Sequence, residues 1–196
     1  LGVGACYRLT IFEVAMPVLS LRAVTSQDLR IPGSDPWYAD PNDPALSVMT
    51  DFRERASVTV AETATMDAAL EHMKHNGVRC AFAIDESRRV VVGLITAYDI
   101  MSEKPMRHMQ SMASPRREVL VRDIMQGIAE WRVADIKDIE QVTVAAVSRL
   151  FEETRLTHIP VMETGEDGGQ RLRGLLSGAK VRRLLRIEGA KRRSAP

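Results

Sequence analysis

The chain has 196 residues, 45% of them hydrophobic and 27% charged, a composition typical of a soluble globular protein with ample length for one compact domain or two small ones. Lys and Arg number 27 against 26 Asp and Glu, so the net charge of +1 gives the whole chain no preference for nucleic acid. It has no run of 18 apolar residues, and its two cysteines lie far apart without metal-like spacing, which predicts a cytoplasmic protein with no membrane span and no metal site.

The first 45 residues are predicted to form an irregular N-terminal extension. The first 21 residues are fairly apolar, but Arg8 and Glu13 interrupt them and no basic region precedes them, so a signal peptide is not expected. Residues 26–45 then carry four prolines among Asp, Ser and Asn. Such a composition favours irregular, extended backbone.

A first β-α-β-β-α unit is predicted over residues 46–104. A short strand at 58–60 leads to Thr65, which can cap a helix whose apolar residues recur at helical spacing. Two strands follow at 78–84 and 90–96, joined by a polar turn, and another helix comes after them. The unit therefore has the order strand, helix, strand, strand, helix.

A second unit, over residues 119–187, repeats this order. Thr143 lies 78 positions after Thr65, and Glu163 lies 78 positions after Asp85 at the end of the equivalent strand. Self-similarity at a fixed spacing indicates a structural repeat.

The two copies differ most at their last strand. The first copy ends this strand in Gly93-Leu-Ile-Thr96 and the second in Gly174-Leu-Leu-Ser177. Three positions after the hydroxyl residue, the first copy has Asp99 and the second has Lys180. The repeat therefore predicts two equivalent sites of unequal chemistry.

These patterns predict an α+β/α/β fold in which tandem β-α-β-β-α repeats pack together with approximate twofold symmetry, since neither unit can bury its apolar faces alone. The stretch from Lys180 to the C-terminus carries seven basic residues and one acidic residue, so its end is expected to be a solvated basic tail. The predicted boundaries are an extension at 1–45, repeat 1 at 46–104, a connector at 105–118, repeat 2 at 119–187 and the tail at 188–196.

Thr96 and Asp99 allow two interpretations. A Thr followed three positions later by an acidic residue is a common helix cap. An ionised carboxylate at this place can also accept two hydrogen bonds from a sugar cis-diol, while helix-start N–H groups favour phosphate. Lys180 cannot accept such bonds, so the second site is expected to be vacant or weak, unless Lys180 binds a phosphate.

The chain resembles a cystathionine-β-synthase-type (CBS) domain pair, also called a Bateman module. The resemblance rests on the lead-in Val121-Arg-Asp-Ile-Met125, the strand Thr157-His-Ile-Pro160-Val161 and the ending Gly93-Leu-Ile-Thr96-Ala-Tyr-Asp99-Ile100. It implies a regulatory module that binds AMP, ADP, ATP, S-adenosylmethionine or a related adenosyl ligand in clefts between the repeats. It also implies a homodimer.

The resemblance assigns candidate ligand residues to two clefts. His158 has a second interpretation, because a lone strand histidine is more often packed than ligand-binding. The apolar strand residues among the candidates also have one, since such residues are core by default. Trp131 is expected to pack rather than to stack on a base. The first cleft takes Thr96, Asp99, His158, Leu156, Thr157, Ile159, Pro160 and Ile124. The weaker second cleft takes Ser177, Lys180, Arg79, Val78 and Cys80.

No nucleophile elbow, P-loop or zinc-protease motif is present, so an enzyme and a catalytic cofactor are not expected. The output is expected to pass through a separate effector protein. Two other functions stay open at this point: an interaction module whose clefts are vacant, and a nucleic-acid-associated regulator that works through the basic tail.

Overall fold

The computed structural model describes residues 38–193, with side chains up to residue 185. Most of the predicted N-terminal extension, and the last three residues of the basic tail, lie outside the described residues. The described part is a mixed α/β structure with two four-stranded sheets. The predicted tandem-repeat fold is confirmed.

Strands and helices alternate in the predicted order. The strands are β1 (Thr50–Asp51), β2 (Thr59–Ala61), β3 (Cys80–Asp85), β4 (Val90–Thr96), β5 (Gln126–Gly127), β6 (Ala134–Asp135), β7 (His158–Thr164) and β8 (Gln170–Ser177). The α-helices are α1 (Met66–His75), α2 (Ala97–Met101), α3 (Lys104–Met112), α4 (Val121–Ile124), α5 (Ile136–Ile139), α6 (Val144–Thr154) and α7 (Gly178–Arg193).

The long helix of each repeat begins at the threonine that the sequence predicts. The Thr65 hydroxyl accepts a hydrogen bond from the backbone N–H of Ala68 at 3.3 Å. The Thr143 hydroxyl accepts one from Ala146 at 3.4 Å. Each bond satisfies a backbone donor that has no partner inside the helix. The predicted Thr65 cap is therefore confirmed, and Thr143 caps the equivalent helix.

Two helices add to the sequence prediction. The predicted connector at 105–118 contains most of α3, because Pro105 in the first turn is already set for a helix and the residues after it are mostly good helix formers. Repeat 2 was expected to end at Ile187 and to be followed by a tail, whereas α7 continues to Arg193. The Glu, Ala, Lys and Arg residues of that stretch favour helix, which explains the extension.

The two repeats exchange their short first strands, β1 and β5, which we call the lead-in strands. Sheet 1 has the order β2-β3-β4-β5 and sheet 2 the order β1-β8-β7-β6. β1 lies at the start of repeat 1 but pairs with β8 of repeat 2, while β5 lies near the start of repeat 2 but pairs with β4 of repeat 1. Each lead-in thus completes the sheet of the other repeat, which ties the repeats together.

The buried apolar residues form one core for each repeat, and each core includes the lead-in of the other repeat. The first combines repeat 1 with residues 119–124, and the second combines repeat 2 with residues 39–49. The members of the first core are Met66, Ala69, Met73, Ala81, Ala83, Ile95, Ile100, Val119, Val121 and Ile124. Those of the second are Ala39, Ala45, Val48, Met49, Ile136, Ile139, Val144, Val147, Phe151, Ile159, Val161, Leu176, Val181 and Leu184.

A third, smaller cluster joins the two sheets. Phe82, Leu94 and Leu175 are its buried members. The ring of Phe82 makes edge-on contacts with Phe52, at a centroid distance of 5.6 Å, and with Trp131, at 6.0 Å. The Trp131 indole N–H donates to the carbonyl of Gln126 at 3.2 Å. The prediction that Trp131 packs is therefore confirmed.

Candidate functional site

Asp99 is held by a capping box at the junction of β4 and α2. Its Oδ2 accepts hydrogen bonds from the Thr96 backbone N–H at 2.9 Å and from the Thr96 hydroxyl at 2.6 Å. The Asp99 N–H in turn donates to the Thr96 hydroxyl at 3.0 Å. Both residues are buried. The capping interpretation of this pair is therefore correct, whether or not the pair also binds a ligand.

The other carboxylate oxygen of Asp99 is paired with a lysine that the sequence reasoning missed. The ammonium of Lys104 lies 2.6 Å from Asp99 Oδ1 and 3.3 Å from the backbone oxygen of Ile124. A sugar diol would have to share or replace the Lys104 contact to reach this carboxylate. Lys104 is only five positions after Asp99, but the sequence did not predict this ion pair, because the start of α3 was not recognised as a helix.

A cavity of about 410 Å³ lies between the repeats on the side of Lys180. This volume is within the range of small-molecule sites, which is about 300–1,000 Å³. All five residues predicted for the second cleft border it. The described lining residues of this Lys180 cavity are Thr50, Phe52, Ala56, Val58, Gly77, Val78, Arg79, Cys80, Phe82, His158, Leu175, Ser177, Ala179, Lys180 and Arg183.

The Lys180 cavity has an apolar floor and a basic rim. Phe82 and Leu175 at the floor are 2% and 7% exposed. Arg79 and Arg183 at the rim are exposed, and Lys180 is half-buried. None of the described lining residues is acidic. A ligand with one flat apolar part and one anionic part would match both surfaces.

The residues predicted for the first cleft differ in their exposure. Ile124 and Ile159 are each 3% exposed and belong to the two cores on the helix side of the sheets. Pro160 is buried, Leu156 is half-buried against the second core and Thr157 is exposed. Their predicted contact with an adenosyl ligand stays a prediction.

His158 borders the Lys180 cavity and also interacts electrostatically with Asp99. It was predicted for the Asp99 cleft, but it borders the Lys180 cavity, and its ring nitrogen Nδ1 lies 3.1 Å from the hydroxyl of Thr157. Burial lowers the pKa of His158 below its ordinary value of 6.5, and the negative charge of Asp99 opposes this shift. The imidazole is therefore within electrostatic reach of Asp99 as well.

The thiol of Cys80, a half-buried residue, also borders the cavity, and its partial burial raises the pKa to about 11. The thiol is thus neutral at physiological pH, which does not suit a nucleophile.

In the described part of the chain, no three His, Cys, Asp or Glu side chains come together as a metal site would require. None of the described helices is long and apolar enough to cross a membrane.

We expect acidification to destabilise the protein through His158. Its pKa is lower in the folded chain than in the unfolded chain, so the unfolded chain takes up the proton first as the pH falls. The free energy of unfolding should decline from just above pH 6.5 and level off below the lowered pKa. Urea unfolding at several values between pH 7.5 and pH 5 should show a smaller decline for His158→Gln than for the wild type.

The exposed His75 at the end of α1 provides a matched control, since His75→Gln removes a histidine that does not border the cavity. A His158→Gln profile that runs parallel to the wild type would contradict the assignment of this pH dependence to His158.

Two repeats with exchanged lead-in strands and a cavity between them define a tandem-repeat module. A family model, the CBS domain, matches residues 28–105. A comparison with curated proteins finds no match. Residues 28–105 therefore match the CBS domain, and the two repeats have the fold of a CBS domain pair.

Solved structures agree with this fold. An uncharacterized conserved protein from Pyrococcus horikoshii aligns with a TM-score of 0.50 and 21% identity, over 80% of this chain and 98% of that chain. A putative signal-transduction protein with CBS domains from Burkholderia ambifaria aligns with a TM-score of 0.50 and 18% identity, over 72% and 88%. CBSX2 in complex with AMP has a TM-score of 0.49 and 22% identity, over 81% and 99%, and CBSX2 is from Arabidopsis thaliana.

Proposed function

We propose that the chain is a regulatory, non-catalytic module that binds an adenine nucleotide or another adenosyl ligand between its repeats. Proteins built from CBS pairs are regulatory modules. The observation that carries the proposal is the Lys180 cavity, which combines an apolar floor with a basic rim. A purine ring would pack on the floor, and phosphate groups would meet the rim.

The cavity also provides a way to transmit binding. Its lining includes Arg79 and Cys80 from repeat 1 as well as Ser177 and Lys180 from repeat 2. A bound ligand would therefore contact both repeats and favour the arrangement in which both sets of contacts form. A ligand shifts a conformational equilibrium only as far as it prefers one state, and a separate effector protein would respond to that state.

We also propose that the module is a homodimer. Four large apolar side chains of α2 and α3 are more than half exposed, a density that favours association. These side chains are Tyr98, Met101, Met106 and Met112.

The expected result is a rise in the melting temperature with at least one ligand among AMP, ADP, ATP and S-adenosylmethionine. A ligand at 100 times its Kd stabilises the folded state by about 2.7 kcal/mol, which corresponds to about 5–10 °C for a chain of this length. Ala179→Trp should abolish the rise, because Ala179 is exposed at the cavity rim. Thermal unfolding and calorimetry measure both effects.

Ala68→Trp is the control, since Ala68 is also an exposed alanine in the first turn of a helix but does not border the cavity. Asp99→Ala separates the clefts: a ligand response that survives this change belongs to the Lys180 cavity. No stabilisation by any of the four ligands would overturn the sensing proposal.

Light scattering on the same samples should give twice the chain mass, and a monomer in every sample would refute the dimer.

A further inference from the structure

We infer that the Lys180 cavity selects its ligand by the number of phosphate groups, through Arg79, Lys180 and Arg183, and not by the ribose diol. This inference deepens the proposed function and rests on it. The favoured ligand class is a nucleoside polyphosphate with its base on the apolar floor and its phosphates at the rim.

Three cations surround the cavity. Arg79, Lys180 and Arg183 border the same cavity of about 410 Å³, and its described lining has no carboxylate. Like charges that face one volume repel each other, and the repulsion is greater where water is partly excluded. A polyanion relieves the repulsion of all three cations at once, and each further phosphate adds charge-assisted hydrogen bonds.

Lys180 lies at the beginning of α7. This helix begins at Gly178 and has 16 residues, so Lys180 lies in its first turn. A cation is unfavourable there, because the helix dipole is positive at the N-terminus. A phosphate beside this turn would be attracted by the lysine and by the helix end together. The Lys180 ammonium already donates to the backbone oxygen of Met49 at 3.5 Å, and a phosphate beside this turn would add a charge-assisted hydrogen bond.

The described lining of the cavity also lacks a carboxylate that could bind a ribose diol. Lys180 occupies the position that Asp99 has in the first copy, and an ammonium cannot accept a hydrogen bond. The described lining offers the hydroxyls of Thr50 and Ser177 but no carboxylate. Recognition of the diol should therefore contribute little here, and a 2′-deoxy sugar should be tolerated.

The test is calorimetry with adenosine, AMP, ADP, ATP, 2′-deoxy-ATP and inorganic tripolyphosphate. We expect the Kd to fall by about tenfold with each phosphate from AMP to ATP, and 2′-deoxy-ATP to bind within about twofold of ATP. Lys180→Gln and Arg183→Gln should each weaken ATP binding by about tenfold and leave adenosine binding unchanged. Higher salt should weaken ATP binding more than adenosine binding.

Arg182→Gln is the matched control, because Arg182 is an exposed neighbour on α7 that does not border the cavity. Adenosine, AMP and ATP binding with equal affinity would overturn the inference and leave the proposed function intact, as would an ATP affinity unchanged in both Lys180→Gln and Arg183→Gln. Tripolyphosphate binding as tightly as ATP would support the selection by charge but overturn the adenosyl part of the proposed function. Binding of none of the six compounds would overturn both.

Discussion

Phe82→Ala is expected to lower the free energy of unfolding by about 3–5 kcal/mol, the usual cost of removing a fully packed aromatic ring from a core. Phe82 is 2% exposed and lies where the two sheets meet, with its ring against Phe52 and Trp131. Its removal takes away contacts with both rings and leaves a void beside Leu94 and Leu175. Since a domain is stable by only about 5–15 kcal/mol in total, this one change threatens the whole fold.

Urea unfolding followed by circular dichroism measures this loss. Leu150→Ala is the control, because Leu150 on α6 is 41% exposed and its truncation should change the stability by no more than about 0.5 kcal/mol. Phe82→Leu should fall between the control and Phe82→Ala. A loss below about 1 kcal/mol for Phe82→Ala would contradict a cooperative core between the sheets. Phe82 also borders the Lys180 cavity, so ligand binding should weaken in the same variant.

The sequence predicts the two repeats well because the features that define them are local. Thr65 and Thr143 cap their helices through contacts with residues only three positions away. The strands around Asp85 and Glu163 follow from runs of apolar residues that end in polar turns. Such signals act within a few residues and do not depend on the rest of the fold.

The exchange of the lead-in strands could not be predicted in the same way. β1 pairs with β8, which lies more than 100 positions later in the chain. Two-residue strands have no periodicity that could identify their partner. The pairing is decided by which sheet edge is within reach once both repeats have folded, and that is a property of the tertiary structure.

The two clefts show what a motif within one repeat can and cannot predict about a binding site. The sequence places the ligand at Asp99, because a carboxylate there matches the diol of a ribose. In the structure, Lys104 supplies an internal cation for Asp99, and a cavity lies on the Lys180 side. The size of a cavity depends on side-chain volumes contributed by both repeats and the lead-in, which no motif within one repeat records. The one indication of a site on this side in the sequence was the alternative interpretation of Lys180 as a phosphate-binding residue.

Gly174→Ala is expected to lower the free energy of unfolding by about 1–3 kcal/mol, the usual range for overpacking. Replacing a glycine with alanine commonly stabilises a protein when the backbone allows it. A Cβ at position 174, however, would lie 2.7 Å from the backbone oxygen of Thr50 and 2.7 Å from the sulfur of Met49. The Met49 side chain can move aside, but the Thr50 carbonyl belongs to β1. Strand β1 would have to shift away from β8.

The equivalent Gly93→Ala should cost a similar amount, because its Cβ would lie 2.8 Å from the backbone oxygen of Gln126 in β5. Gly127→Ala is the matched control: the nearest atom to its Cβ is 3.7 Å away, in the Glu130 side chain. It should be neutral or slightly stabilising. Urea unfolding of the three variants therefore tests the exchanged lead-ins directly, since only close β1–β8 and β5–β4 contacts separate the two costly changes from the control. Gly174→Ala and Gly93→Ala proteins as stable as Gly127→Ala would show that the lead-in strands do not pack against the sheets in this way.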